Sequence, residues 1–205
     1  TNNGGYPAAS IAGSGVGAPF VFKGGTFPGT GGSCTATLAA AGTCTFVVTY
    51  QATAATASTA TISLAYDDGN IVQNATRDIA GTGVTPANLA ISNGPTYDFG
   101  VVATGATAEA TLTVTNTGTF SASSMTGAAV SAPFSFKGGA YPGTGGTCGT
   151  GVAGGASCTI VVKFAPTAVN TFNATVQVDY SNGVVAVAAT RPLQGVGAQP
   201  ATLVM

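Results

Sequence analysis

Histidine is absent from this 205-residue chain, and only 5% of its residues are charged, with five Lys and Arg against six Asp and Glu. Without His, Ser-His-Asp and Cys-His nucleophilic chemistry are excluded, and transition-metal sites lose their commonest ligand. A formal net charge of -1 provides no basic face to neutralise a phosphate backbone or an anionic membrane, so nucleic acid is not an expected partner. Long hydrophobic runs are missing too. The 45% of apolar residues are mostly Ala and Val, broken every few positions by Thr, Ser or Gly, and no run nears the roughly 20 residues of a membrane-spanning helix. Disorder is also a poor reading, because Val, Ile and Phe alternate at strand period and the charge excess is small.

What the chain does have is a repeat. Cys34 recurs as Cys148 and Cys44 as Cys158, both 114 positions on (148 − 34 and 158 − 44). The register holds throughout. Ala18-Pro19-Phe20 recurs as Ala132-Pro133-Phe134, Phe22-Lys23-Gly24-Gly25 as Phe136-Lys137-Gly138-Gly139, and Pro28-Gly29-Thr30 as Pro142-Gly143-Thr144. Tyr66 answers to Tyr180, Thr76-Arg77 to Thr190-Arg191 and Gly81 to Gly195. Thr1 then corresponds to Thr115 and Met205 to Ile91, so residues 92–114 have no counterpart in the first copy. The expected organisation is a repeat over 1–84 that lacks its N-terminal strands, a complete repeat over 85–198, and the first strand of a following repeat over 199–205. The opening Thr1 falls inside a repeat, so the expected parent is a longer chain and the lack of a signal peptide says nothing of compartment. A first copy without the missing strands is expected to expose its core.

Alternation and turn residues predict strands in the complete repeat near 88–91, 97–102, 108–115, 134–137, 158–164, 172–180 and 184–191. Leu112, Val114 and Asn116 fall on one face, as do Ile160, Val162 and Phe164. Asp68-Gly69 and Asn182-Gly183 sit between alternating runs and predict two-residue type I′ hairpins, whose central residues both need positive φ. Seven short strands spaced by turns predict an all-β fold of tandem Ig-like β-sandwich repeats of about 114 residues.

Tyr97-Asp98-Phe99-Gly100-Val101-Val102, Leu112-Thr113-Val114-Thr115-Asn116-Thr117-Gly118, Phe164-Ala165-Pro166-Thr167 and the closing Leu193-Gln194-Gly195-Val196-Gly197 together resemble the bacterial repeat of the abnormal-spindle/hydin class, known as the choice-of-anchor-D domain. The resemblance covers essentially the whole chain. It implies an Ig-like sandwich related to major-sperm-protein domains, carried in tandem on large exported bacterial proteins, with no catalytic residues to carry over. The first copy departs from the pattern where Tyr50-Gln51-Ala52-Thr53 stands in place of the Phe-Ala-Pro-Thr strand end.

Candidate chemistry is sparse. No acidic pair recurs between the copies, which disfavours a glycosidase arrangement, and the expectation is that the chain is not an enzyme. Cys34 with Cys44 and Cys148 with Cys158 enclose Gly- and Ala-rich loops, and a zinc site would need more ligands than two thiolates per repeat. Disulfides are therefore expected within each repeat, placing the chain in an oxidising compartment, secreted or at a cell surface. Asp67-Asp68-Gly69-Asn70 gathers oxygen ligands but lacks the distal Glu of a calcium loop, and reads as a hairpin turn. Lys23 and Lys137 recur, inviting a Lys-Asn isopeptide bond, but no acid recurs beside them; a solvated or edge-protecting lysine is the plainer reading. Asn74-Ala75-Thr76 and Asn173-Ala174-Thr175 fit the short glycosylation sequon. No metal or cofactor is expected.

The loops Gly24-Gly25-Thr26-Phe27-Pro28-Gly29 and Gly138-Gly139-Ala140-Tyr141-Pro142-Gly143 place an aromatic among flexible residues. Phe27 and Tyr141 are either plugs over the end of the sandwich or exposed stacking surfaces for a ligand. Plugs fit a structural spacer or stalk in which residues 81–86 form a semi-rigid link and neighbouring repeats are the partners. Exposed rings fit the alternative, an adhesive module for glycans or for copies of itself.

Overall fold

The computed structural model describes residues 1–205, which divide into two compact units, Thr1–Val84 and Thr85–Met205. All of the regular structure is β. Unit 1 carries β1 (Ala9–Ser14), β2 (Phe20–Phe22), β3 (Val48–Tyr50), β4 (Ala57–Asp67) and β5 (Val72–Thr82). They form a three-stranded sheet ordered β1-β4-β5 and a two-stranded sheet β2-β3. Unit 2 carries β6 (Leu89–Ile91), β7 (Tyr97–Ala103), β8 (Ala108–Asn116), β9 (Ala122–Gly127), β10 (Phe134–Phe136), β11 (Gly151–Val152), β12 (Ser157–Phe164), β13 (Asn170–Ser181) and β14 (Ala186–Ala198).

In unit 2 a four-stranded sheet, β10-β12-β8-β6, faces a five-stranded one, β11-β9-β13-β14-β7. All pairings are antiparallel except β14 with β7. The core lies between the sheets because alternate side chains of β8, β12 and β13 point inward. Leu112, Val114, Ile160, Val162, Phe164, Val176 and Val178 are wholly buried. Phe134 stacks on Phe164 at 4.7 Å between ring centroids, with Phe99 5.6 and 5.7 Å from the two. Gly195 lies against this cluster. A Cβ there would stand 2.7 Å from the Phe164 ring, so the bare backbone of β14 is what admits the aromatic.

Several sequence expectations need correction. The two hairpins are four-residue loops, closed by the Asp67–Val72 and Ser181–Ala186 pairs, and only Gly69 and Gly183 take positive φ (94° and 93°). The reason is a side chain. Asp68 Oδ1 accepts hydrogen bonds from the N–H groups of Asn70 and Ile71, both at 2.9 Å, and Asn182 Oδ1 does the same for Val184 and Val185. That arrangement ties the loop into a wider turn than a type I′ geometry needs. Residues 199–205 form no strand; Leu203 and Val204 stay exposed, since no strand in this chain lies beside them to pair. Gly81 and Thr82, read as linker, belong to β5, where Gly81 makes room for the ring of Tyr50. β9 and β11 were not predicted at all, and β14 runs seven residues beyond the predicted end at 191.

Hydrogen bonds from Ile71, Gln73 and Asn70, in that order, hold the Asp68 carboxyl below the usual carboxylate range. A lowered folded pKa contributes stability present above the unfolded value near 3.8 and lost as pH falls through the folded one. Asn182 makes the same loop without a titrating group. Asp68→Asn in the full chain is therefore expected to leave amide protection at the Asp67–Val72 hairpin unchanged at pH 7 while removing part of its decline below pH 4, read from hydrogen exchange across pH.

Candidate functional site

The recurrent loops and the disulfides beside them form one local construction, built twice. Cys34 and Cys44 are bonded, with Cα atoms 4.7 Å apart, as are Cys148 and Cys158 at 4.8 Å. No cysteine is free. Closing a loop of this length stabilises by roughly 2.5 to 3 kcal/mol in the chain-entropy account. Hydroxyls flank each bridge: Thr147 and Thr159 meet at 3.1 Å, as do Ser33 and Thr45 in unit 1. Disulfides persist in oxidising surroundings, which is where this chain belongs.

The aromatic loops are pinned to their own unit by backbone. Thr144 N–H donates to the Lys137 carbonyl at 2.7 Å and Val161 N–H to the Pro142 carbonyl at 2.8 Å; Thr30 and Lys23, Val47 and Pro28 repeat both bonds. Tyr141 is half-buried, edge-on to Phe136 at 5.7 Å and 88°, and its hydroxyl donates to the Gly149 carbonyl at 3.3 Å. Burial pushes its phenol pKa up. Phe27 sits edge-on to Phe22 at 5.4 Å and 82°. Each ring lies over a glycine. A Cβ on Gly127 would come 2.6 Å from the Tyr141 ring and 2.7 Å from that of Phe136, and one on Gly13 would collide with Phe27 and Phe22. Gly127→Ala is expected to destabilise unit 2 by about 1–3 kcal/mol through this overpacking, and the double variant Gly127→Ala, Tyr141→Ala to recover part of the loss. Urea melts followed by tyrosine fluorescence measure both.

The acidic residues are scattered. Glu109 Oε2 receives Lys137 Nζ at 2.7 Å in a pair about 40% exposed, so the recurrent Lys137 is a surface ion-pair partner. Asp98 Oδ1 accepts the N–H of Gly100 at 2.8 Å, which shapes the irregular edge of β7. Asp67 and Asp78 are likewise engaged locally, with Gly69 N–H and the Thr61 hydroxyl.

Three polar side chains not singled out as site residues in the sequence do more structural work than the carboxylates. Asn116 is fully buried at the end of β8: Oδ1 accepts from Asn88 N–H (3.1 Å) and Gly118 N–H (3.0 Å), while Nδ2 donates to the carbonyls of Phe120, Val152 and Ala153 (2.8, 3.3 and 3.3 Å). Tyr180 Oη accepts the N–H of Leu89 at 3.0 Å. Arg191 donates through Nη1 to the Pro95 carbonyl at 2.9 Å and through Nη2 to that of Ile91. All three fasten β6 and the turn after it. The available signal was a polar residue, Asn116, closing an inward-facing alternation.

An Ig-like β-sandwich is the class that this architecture defines for unit 2. The model of the HYDIN/CFA65/VesB-like, Ig-like domain matches residues 91–190, so an Ig-like domain is present there. Similar solved structures include the VesB protease of Vibrio cholerae, with 16% identity over 54% of this chain and 32% of that one, at a TM-score of 0.40. The ASH/PapD-like domain of human CEP192 follows with 15% identity, 58% and 89% coverage and 0.38. A protein of unknown function from Porphyromonas gingivalis W83 gives 10%, 95%, 87% and 0.41. This chain spans about a third of the VesB protease that it matches, and likeness at these scores carries no functional argument. No curated protein matches the sequence.

Proposed function

We propose that this chain is a structural spacer: tandem Ig-like repeats of about 114 residues, of the bacterial choice-of-anchor-D kind, within a larger secreted or cell-surface protein, and without catalytic activity of its own. The observation that carries this reading is the placement of Phe27 and Tyr141, each packed edge-on against a phenylalanine of its own unit. Residues that recur 114 positions apart (Cys, Gly, Pro and the core aromatics) fix shape, whereas the acidic residues differ between copies. Catalysis needs tuned groups gathered in one pocket. A modular spacer needs each unit to hold its own fold while its surface varies. Neighbouring repeats are then the partners.

The test is a screen of the chain against a glycan panel and chromogenic glycoside and ester substrates. Neither turnover nor binding is expected. Glycan binding lost in Tyr141→Ala, with the melting transition retained, would replace the spacer by an adhesive module. Hydrolysis abolished by Asp98→Asn or Glu109→Gln would overturn the non-enzymatic reading.

A further inference from the structure

The sequence holds three Asn-Gly pairs, Asn3-Gly4, Asn93-Gly94 and Asn182-Gly183. The side-chain amide of an asparagine is open to attack by the backbone nitrogen of the next residue, and a glycine there has no Cβ to obstruct the approach. Whether attack proceeds depends on how firmly the two groups are held. At Asn182 both are engaged: Oδ1 accepts from Val184 and Val185 N–H at 2.9 Å, and Gly183 N–H donates to Ser181 Oγ at 3.4 Å. Gly4 N–H is taken up by Asn2 Oδ1 at 3.0 Å. Asn93 and Gly94 differ. Both are exposed in the turn between β6 and β7, and neither the Asn93 amide nor the Gly94 N–H makes a hydrogen bond within the protein. Asn93 stands at a φ of 63°, in the left-handed region that asparagine tolerates.

A cation lies against this pair. Arg191 reaches from β14 to the turn, donating through Nη1 to the Pro95 carbonyl at 2.9 Å and through Nη2 to that of Ile91. A Cβ on Gly94 would collide with Nη1, Cζ and Nη2 of the guanidinium, so the charge sits directly beside the glycine. No carboxylate pairs with Arg191, and its Nε is buried without a hydrogen-bond partner. Positive charge that no neighbour neutralises favours loss of the proton from an adjacent peptide nitrogen and stabilises negative charge developing at an attacked carbonyl. A guanidinium with a spare donor also gains from a carboxylate formed nearby.

We propose that Asn93 is a site of spontaneous deamidation promoted by Arg191. The Gly94 nitrogen bonds to Asn93 Cγ, the Cγ–Nδ2 bond breaks, and the side-chain nitrogen leaves as ammonia carrying the former Gly94 proton. Water then opens the cyclic imide at either of its carbonyls, giving aspartate or isoaspartate at position 93. The exchange is water for ammonia, with no oxidant or reductant, and it leaves a negative charge beside Arg191. Aspartate keeps the backbone and pairs with the guanidinium. Isoaspartate lengthens the main chain between the Ile91 and Pro95 carbonyls, so Arg191 no longer holds both and β6 loosens. The complete repeat thus carries an irreversible mark of age, whether the protein is a spacer or an adhesin.

The test incubates the full chain at neutral pH and physiological temperature, folded and in urea. Peptide mapping with electron-transfer fragmentation follows each Asn-Gly pair and separates aspartate from isoaspartate. In the folded chain Asn93 is expected to react roughly tenfold or more faster than Asn182, and in urea the two should differ by less than about threefold. Arg191→Gln is expected to slow Asn93 roughly fivefold or more and leave Asn182 unchanged, whereas Arg191→Lys, which keeps the charge but not the fork, retains most of the native rate. Amide exchange at Ser92, whose N–H bonds the Thr113 carbonyl, should speed up in the isoaspartate fraction and stay at the native rate in Asn93→Asp. Asn93 reacting no faster than Asn182 in the folded native chain would overturn the proposal, and this comparison decides even where Arg191→Gln fails to fold. So would a native rate in folded Arg191→Gln, or an Arg191→Lys rate as low as that of Arg191→Gln, since the guanidinium would then act by scaffolding the turn.

Discussion

Residues 85–198 expressed alone are expected to unfold in one sharp transition with coincident circular dichroism and fluorescence, whereas residues 1–84 alone should bind ANS, aggregate, or melt without a cooperative step. The two differ in what covers the sheet. Unit 2 buries Leu112, Val114, Ile160, Val162 and Val178 completely because β6 and β8 lie across β12. Unit 1 has the same inward residues in part, with Phe20, Phe22 and Ile62 buried, but Phe46, Leu64 and Tyr66 are left half-open over a cleft. Each such large apolar side chain forgoes a share of the roughly 1.5–3 kcal/mol that full burial brings, against a total stability of order 5–15 kcal/mol for a domain. The Cys34–Cys44 bridge restrains only a short loop and offsets a fraction of this. A monomeric, two-state melt of residues 1–84 would mean that five strands suffice.

Where side-chain period carried the information, the fold was legible in the sequence. β8, β12 and β13 are runs of Val, Ile, Leu and Phe at every second position, and the fixed spacing of 114 placed Phe22, Phe27 and the Cys34–Cys44 pair beside their later equivalents Phe136, Tyr141 and Cys148–Cys158. β9 escaped because Ala122-Ser123-Ser124-Met125-Thr126-Gly127 has little intrinsic strand preference; it is held by pairing with β13 and β11 and by burial of Met125. The hairpins were misread for a different reason. Asp68-Gly69 and Asn182-Gly183 have the composition of a two-residue turn, but a single side-chain oxygen accepting two backbone N–H groups selects a four-residue one, and that competition is not encoded in the dipeptide. For Phe27 and Tyr141 the sequence left plug and stacking surface open, since exposure depends on Gly13 and Gly127, which lie in other strands or at their ends.

Asn116→Ala is expected to cost the complete repeat about 3–5 kcal/mol, as large as the loss of a core aromatic, although it removes no hydrophobic contact. The side chain is fully buried and partners the backbone in both directions, so truncation leaves the N–H groups of Asn88 and Gly118 and three carbonyls without it, and the bonds to Gly118 N–H and the Val152 carbonyl lie where they are fully buried. Asn116→Asp should be at least as damaging at pH 7 and should behave differently with pH. The shape is kept, but the amide that donated to Phe120, Val152 and Ala153 becomes a carboxylate oxygen facing three carbonyl oxygens. Burial and that repulsion both favour the protonated acid, raising its folded pKa above the unfolded value near 4. An acid with a raised folded pKa is most favourable to folding below its unfolded pKa, and its contribution is lost as pH rises through the folded one. Urea melts of residues 85–198 carrying Asn116→Asp should therefore show smaller destabilisation relative to the parent at pH 4 than at pH 7, while the Asn116→Ala deficit stays constant between the two. Equal deficits for both variants at both pH values would show that Asn116 acts by filling space, and would remove the polar clamp on β6 from the account of how the sandwich is closed.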